Sequence, residues 1–187
     1  MHHITKLTLV AALAIAASAS AQAGKSAFTL TSSDMKPGRM IAMPQVFSGM
    51  ACTGGNVSPE LEWRGAPATA KSFAITVYDP DAPTGSGWWH WVVYNIPSAV
   101  TKLPAGAGSA TATRLPAGAK QGNTDFGAPG YGGPCPPKGP VHHYVFTVFA
   151  LDIARLELPA GATAAMVGFN LNAHKVAKAS LTAIYRQ

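Results

Sequence analysis

The chain has 187 residues and a formal net charge of +6 at pH 7, a length that suits one domain with a sizeable core. Its lysines and arginines are scattered and no RNA-binding aromatic motif is present, which argues against a nucleic-acid-binding protein. The basic excess weakly favours an anionic ligand or a lipid head group as partner, although an ordinary solvated surface is the simpler explanation.

The amino terminus has the pattern of a secretory signal. Lys6 precedes an almost unbroken apolar run over residues 7–17, and the small-residue stretch 18–23 ends in an A-x-A sequence. The run is shorter than the about 20 residues that a membrane-spanning helix needs, so membrane contact is at most peripheral. We therefore predict a signal peptide over residues 1–23, one domain over residues 24–187, and a periplasmic or secreted location. A buried amino-terminal helix is the alternative.

Three segments have the alternation and the Pro/Gly boundaries of strands. They cover residues 72–78, 89–96 and 141–151, and the first is apolar on both faces, as expected of a strand inside a sandwich. In the third segment, alternation puts His142 and His143 on opposite faces.

One helix is predicted near the carboxyl end, with Thr163 as its N-cap, followed by a short final strand over residues 180–185. Apolar residues recur there at helical spacing and are predicted to face the core: Met166, Phe169, Ala173 and Val176. Together these patterns predict a mainly β fold, with two antiparallel sheets in a sandwich and one or two peripheral helices.

The stretch from 97 to 140 is dense in Gly, Pro, Ala and Ser and has little periodicity. Loops of this length in a compact domain are usually functional or disordered. Its tail, residues 131–139, is too rigid in composition for a flexible linker. Because proline fixes φ and glycine permits close backbone approach, the tail is predicted to be a shaped loop against a ligand or partner.

The predicted domain contains two cysteines, Cys52 and Cys135. In an oxidising compartment, and without metal-ligand spacing, two cysteines indicate one disulfide. Two separate buried thiols are the alternative.

Ionisable residues lie at the ends of the predicted strands, next to turns and loops. Asp79 and Asp81 flank a proline and therefore cannot both continue a regular strand ladder. His90 lies between tryptophans, so partial desolvation should favour its neutral imidazole unless an acid or a bound anion compensates. A histidine of this kind can also serve only to satisfy hydrogen bonds in the core.

Several motifs occur together and in order. They are Asp79-Pro80-Asp81-Ala82-Pro83, Trp89-His90-Trp91 with Asn95-Ile96-Pro97, the Gly133–Gly139 loop running into His142-His143-Tyr144, and the segments 55–63, 125–127 and 179–185. This set resembles the signatures of the phosphatidylethanolamine-binding proteins, and most closely their bacterial Raf-kinase-inhibitor-like branch. The resemblance covers essentially the whole chain after the predicted signal.

The resemblance implies a two-sheet antiparallel β fold with a small pocket for phosphate-like anions. Compared with eukaryotic members, this chain has a short turn at 84–87 and lacks the extended carboxyl-terminal helix that covers the pocket there. With these differences, the resemblance implies a site for small anions in general and not one selective for phospholipids. The ligand-binding residues implied by the matching motifs are Asp79, Asp81, His90, Gly133, Pro134, Cys135, Pro136, Pro137, His142 and Tyr144.

These observations predict an exported binding protein without a cofactor and without catalytic activity. His90 and His142 can donate hydrogen bonds to phosphate oxygens, and loop N–H groups can add more. An inhibitor of a protease or kinase acting through protein contact is one alternative, and a weak hydrolase or metal-dependent enzyme is the other. HExxH and Gly-x-Ser-x-Gly motifs are absent from the sequence, and a Cys135–His142 thiol nucleophile conflicts with the predicted disulfide. A homodimer and an unidentified protein partner stay open.

Overall fold

The computed structural model describes residues 27–187, so the predicted signal peptide at 1–23 lies outside the described residues. Ten strands, one α-helix and one short 3₁₀ helix at Met43–Gln45 form this part of the chain. In chain order the elements are β1 (Thr29–Thr31), β2 (Ser48–Gly49), β3 (Cys52–Thr53), β4 (Leu61–Arg64), β5 (Ser72–Asp79), β6 (Trp88–Pro97), β7 (Lys102–Leu103), β8 (Lys120–Gln121), β9 (His142–Leu151), α1 (Ala164–His174) and β10 (Lys175–Tyr185).

The strands form a five-stranded antiparallel sheet in the order β10-β9-β5-β6-β8 and a three-stranded antiparallel sheet in the order β1-β4-β7, with β2 and β3 forming a separate hairpin. This is the predicted mainly β fold. The three long predicted strands are confirmed as β5, β6 and β9, with bounds that differ by at most one residue at each end.

The central strand β5 separates two apolar clusters. Phe73, Ile75 and Val77 point into the larger cluster between the two sheets, whereas Ala74 points into a smaller cluster beneath α1. Because side chains alternate across a strand, both faces of β5 are buried, which explains why neither face is polar.

The predicted core-facing side of the helix was wrong. Thr163 caps α1 as predicted and accepts a hydrogen bond from the Met166 N–H, but Phe169 is 76% exposed. Met166 and Val176 are also exposed, and Val176 belongs to β10. The buried helix residues are Ala164, Val167 and Leu171. Both sets recur at helical spacing, so periodicity could not choose between them, and the packed set follows from how α1 lies on the sheet.

The final strand is longer than predicted, because β10 begins directly after α1 and pairs with β9 along its length. The disulfide between Cys52 and Cys135 is confirmed, with the two Cα atoms 6.0 Å apart, and it joins β3 to the proline-rich loop. Among residues 27–187, we find no helix with the length and apolar character needed to cross a membrane.

Candidate ligand-binding site

A cavity of about 380 Å³ opens where β5 ends and where β6 and β9 begin. The turn that joins β5 to β6 and the proline-rich loop before β9 both contribute to its wall. The lining residues are Met50, Asp79, Ala82, Pro83, Thr84, Trp88, His90, Phe126, Cys135, Pro136, Pro137, His142, Tyr144 and Gln187.

A buried histidine–aspartate pair forms part of the cavity. The Nδ1 of His142, on β9, lies 2.8 Å from Oδ2 of Asp79, the last residue of the neighbouring β5. Asp79 also accepts a hydrogen bond of 2.9 Å from the Asp81 N–H. Both members of the pair are at least 95% buried at their side chains. Since a carboxylate only accepts, Nδ1 of His142 carries the proton and Nε2 is left for a ligand.

The second imidazole belongs to His90, on β6. Its Nδ1 lies 2.7 Å from the Gly132 carbonyl oxygen. Its ring packs edge to face against the rings of Phe126 and Tyr144, with centroid distances of 5.4 and 5.1 Å. Burial lowers the pKa of His90, and the hydrogen bond to Gly132 and the charge of Asp79 oppose this only in part. The predicted preference for a neutral ring at this position agrees with that direction.

Tyr144 supplies a third polar group. Its hydroxyl is buried and makes no hydrogen bond of normal geometry to another described residue, although the Asp79 carboxylate lies near enough to raise its pKa. Burial, with the negative charge of Asp79 added to it, raises the pKa of Tyr144 well above the usual range, so the hydroxyl keeps its proton and can donate. A buried hydroxyl without a partner costs free energy, and a ligand in the cavity would offset that cost.

The loop from 131 to 137 is held from behind by close backbone contacts. A Cβ on Gly133 would collide with the Gln45 carbonyl oxygen, so only glycine fits there. The Gly133 N–H donates to Oδ1 of Asn56 at 2.8 Å, and the Asn56 amide donates in turn to the Tyr131 carbonyl. Hydrogen bonds and the disulfide together make the predicted shaped loop a fixed wall of the cavity.

Comparison with known proteins assigns the family. The family model for phosphatidylethanolamine-binding proteins matches residues 31–186. This chain belongs to the phosphatidylethanolamine-binding protein family. The UPF0098 protein YbcL of Escherichia coli is 54% identical over 167 residues, which cover 89% of this chain and 90% of the relative. The UPF0098 protein YbhB of the same organism is 52% identical over 156 residues, which cover 83% and 98%.

Solved structures agree with this assignment. The crystal structure of Escherichia coli YbcL, described as a member of the mammalian phosphatidylethanolamine-binding protein family, matches with a TM-score of 0.84 at 53% identity. The Chlamydia trachomatis homologue CT736 matches with a TM-score of 0.72 at 32% identity. Each match covers 86% of this chain and 98% of the other. The family resemblance and the fold predicted from the motifs are therefore confirmed.

Three of the predicted site residues do not line the cavity. Strand β5 ends at Asp79, and the turn after it directs Asp81 to the exposed side, where its Oδ2 accepts from Nδ1 of His143 at 2.8 Å. Gly133 packs against the segment behind the loop, as described above, and the Pro134 carbonyl accepts from the Phe47 N–H of that segment. The predicted residues that do line it are Asp79, His90, Cys135, Pro136, Pro137, His142 and Tyr144.

Sequence reasoning missed most of the apolar wall. Phe126 lines the cavity because Asp125, beside it, accepts a hydrogen bond of 2.7 Å from the Trp89 N–H and so fixes this segment on β6. The Asp125-Phe126-Gly127 motif was the available signal, and Trp88 could have been found from its place in the tryptophan run. Met50 and Gln187 carried no recognisable signal.

Proposed function

We propose that this chain is an exported binding protein that holds a small anionic ligand, phosphate or a phospholipid-head-group-like molecule, in the cavity between β5, β6 and β9. One observation carries the proposal. The unpartnered Tyr144 hydroxyl, the His90 ring and the His142 ring all line one cavity whose wall is fixed by backbone hydrogen bonds and a disulfide.

The chemistry of these groups suits an anion. The Tyr144 hydroxyl can donate to a ligand oxygen, in competition with the nearby Asp79 carboxylate. The hydrogen bond from Nδ1 to Asp79 leaves Nε2 of His142 for a ligand, and Nε2 can donate to an anion whenever the ring carries both protons. The surrounding side chains are mainly apolar, and hydrogen bonds are stronger in surroundings of low dielectric constant.

Binding is favoured over catalysis because the groups in the cavity lack an activated nucleophile. Cys135 and His142 both line the cavity, but the Cys135 sulfur is bonded to Cys52 and no thiolate can form. Within residues 27–187, no three His, Cys, Asp or Glu side chains converge in a way that could hold a metal ion.

Export is part of the proposal. It rests on the signal pattern at 1–23 and is supported by the disulfide, because such bonds persist mainly in oxidising compartments. The intact mass of the protein from a periplasmic or culture-medium fraction should correspond to a chain that starts near Gly24. Full-length chain recovered from the membrane fraction would contradict export.

Calorimetric titration with phosphate and phosphoethanolamine tests the binding site. We expect dissociation constants in the high-micromolar to millimolar range, roughly −4 to −6 kcal/mol, as suits a small anion held by a few hydrogen bonds. Because burial lowers the pKa of His90, any gain in affinity from a charge on this ring should appear only at a lower pH than for an exposed imidazole.

Two histidine variants and one matched control complete the test. His90→Ala and His142→Ala should abolish binding, and His142→Ala should also lower the free energy of unfolding because it leaves Asp79 without its buried partner. Thermal unfolding checks that each variant is folded. His143→Ala should bind normally, because that side chain lies on the opposite, exposed face of β9. If His143→Ala loses binding and His142→Ala keeps it, the proposed site is wrong.

A further inference from the structure

The helix α1 lacks the charged side that surface helices normally have. Residues 164–173 contain no charged side chain, and their only polar side chains are those of Asn170 and Asn172. A helix that is apolar all round is normally buried on all sides. One side of α1 is buried, with Val167 and Leu171 packed in the smaller apolar cluster beneath it. The opposite side faces solvent.

The solvent-facing side of α1 presents apolar side chains at helical spacing. Phe169 is 76% exposed, more than any other large apolar side chain among the described residues, and Met166, three residues earlier, is 44% exposed. Ala165 and Ala173, one turn before and one turn after Phe169, are exposed as well. We call these four residues the α1 apolar face. A contiguous exposed apolar surface of this kind indicates an interaction site, whereas single exposed apolar residues need no explanation.

Positive charge lies beside the α1 apolar face. Lys175 directly follows the helix, and its Nζ lies 2.6 Å from Oδ1 of Asn172. Lys178 on β10 is paired with Phe149, whose side chain packs beneath α1, so Lys178 lies on the side of the sheet that carries the helix.

Little negative charge opposes these lysines. Residues 158–187 contain no aspartate or glutamate. The Asp152 carboxylate near the end of the helix contacts Nδ1 of His174 at 3.1 Å, which places a partner beside its charge. The region therefore combines protruding apolar side chains with uncompensated lysines.

We propose that the α1 apolar face, with Lys175 and Lys178 beside it, docks the protein on an anionic lipid surface. Phe169 and Met166 insert at the boundary between head groups and acyl chains, and the two lysines lie at the level of the lipid phosphates. Apolar side chains flanked by lysines are typical of helices that lie in a membrane interface, and each lysine near an anionic surface adds to the attraction. This contact is separate from the cavity and goes beyond the proposed function.

The charge of this region argues against a second copy of the chain as its occupant. In a symmetric dimer both subunits use the same surface, so the lysines of the two copies would meet at one interface. Residues 158–187 supply no acidic side chain to pair with them, and like charges brought together at an interface are unfavourable. A lipid surface with negative head groups instead offers a counter-charge to each lysine.

Co-sedimentation with vesicles tests the inference. The exported protein is mixed with vesicles of phosphatidylcholine alone and with vesicles of equal parts phosphatidylcholine and phosphatidylglycerol. Binding to the anionic vesicles should be at least about 10-fold tighter, because two lysines lie near the surface. Added salt should weaken that binding, since it screens exposed charges. Equal binding to the two kinds of vesicle, or no binding to either, would overturn the inference.

Single substitutions test the responsible residues. Phe169→Ser should weaken binding to the anionic vesicles about 10-fold or more, because it removes the largest inserted apolar side chain. Lys178→Gln should weaken it about 5-fold. The matched controls are Met43→Ser, whose side chain is 51% exposed outside α1, and Lys138→Gln in the proline-rich loop, and both should bind as wild type does. Thermal unfolding confirms that each variant is folded, and full binding by folded Phe169→Ser overturns the inference.

Two other outcomes would assign the vesicle contact or the helix face differently. If His90→Ala loses vesicle binding and Phe169→Ser keeps it, a head group in the cavity holds the vesicle, so the inference fails and the proposed function stands. If sedimentation velocity shows a dimer that Phe169→Ser dissociates, a second copy covers the face and the inference fails. Vesicle binding that depends on Phe169, in a protein that does not bind phosphate or phosphoethanolamine, supports the inference and overturns only the proposed function.

Discussion

Two histidine–aspartate pairs lie side by side in this molecule and share the same contact geometry. His142 meets Asp79 and His143 meets Asp81, each with Nδ1 2.8 Å from a carboxylate oxygen. The side chains of the first pair are 5% and 3% exposed, whereas those of the second are 53% and 39% exposed. The pairs differ in their surroundings because neighbouring residues on β9 point to opposite faces of the sheet.

The comparison teaches that two contacts of the same length can contribute very different amounts of free energy to folding. Water and salt screen the exposed pair, whose net contribution is small. The buried pair has lost its hydration, so each partner depends on the other, and removing either leaves an unsatisfied polar group. Only the buried pair also lines a cavity, which gives it a place in ligand binding.

The largest loss of stability should follow from removing the Cys52–Cys135 disulfide, since Cys135 lines the same cavity as the buried pair. The bond joins residues separated by 83 positions, so the Cys52→Ser, Cys135→Ser double variant should lose about 4 kcal/mol of unfolding free energy in the chain-entropy model. Urea unfolding measures the loss. In NMR spectra the His142 imidazole signals should shift more than those of His143. Unchanged stability, or a shift confined to His143, would contradict this prediction.

The next largest effect should come from removing the aspartate of each pair, which should cost more unfolding free energy in the buried pair than in the exposed one. Asp79→Ala deprives the His142 Nδ1–H and the Asp81 N–H of a buried acceptor, and we expect a loss of about 3 kcal/mol. Asp81→Ala is the matched control and should cost less than about 1 kcal/mol, as exposed pairs usually do. Equal losses in urea unfolding would mean that burial does not distinguish the two pairs.

The smallest effect concerns the exposed pair in acid. Partial burial alone would raise the pKa of Asp81, but hydrogen bonds from the His143 side chain and backbone, with the charges of His143 and His142, outweigh it and lower the pKa. A depressed folded-state pKa gives stability that is present above about pH 4 and is lost as the pH falls further.

Wild type should therefore exceed Asp81→Asn in unfolding free energy by less than about 1 kcal/mol at pH 6, and the difference should shrink by pH 3. Raising the salt concentration at pH 6 should also reduce it. Urea unfolding at both pH values checks this. A difference that grows on acidification would contradict the sign of the pKa shift.

The two pairs also show which side-chain positions could be predicted from the sequence. Alternation along β9 correctly placed His142 and His143 on opposite faces, because successive side chains of a regular strand point to opposite sides. Motif matching placed Asp81 in the pocket, but β5 ends at Asp79 and the following turn carries Asp81 away from the cavity. Periodicity failed for the helix, where packing on the sheet chose Val167 and Leu171 over Phe169.

Taken alone, the sequence determined the family, the long strands, the disulfide partners and most of the polar residues of the cavity, because each of these depends on local pattern or on motif identity. Only the tertiary structure decided which imidazole nitrogen is free. His90 finds its carbonyl partner 42 residues away and His142 its carboxylate 63 residues away. Hydrogen-bond roles depend on the angle and distance between such remote groups, and folding sets those quantities.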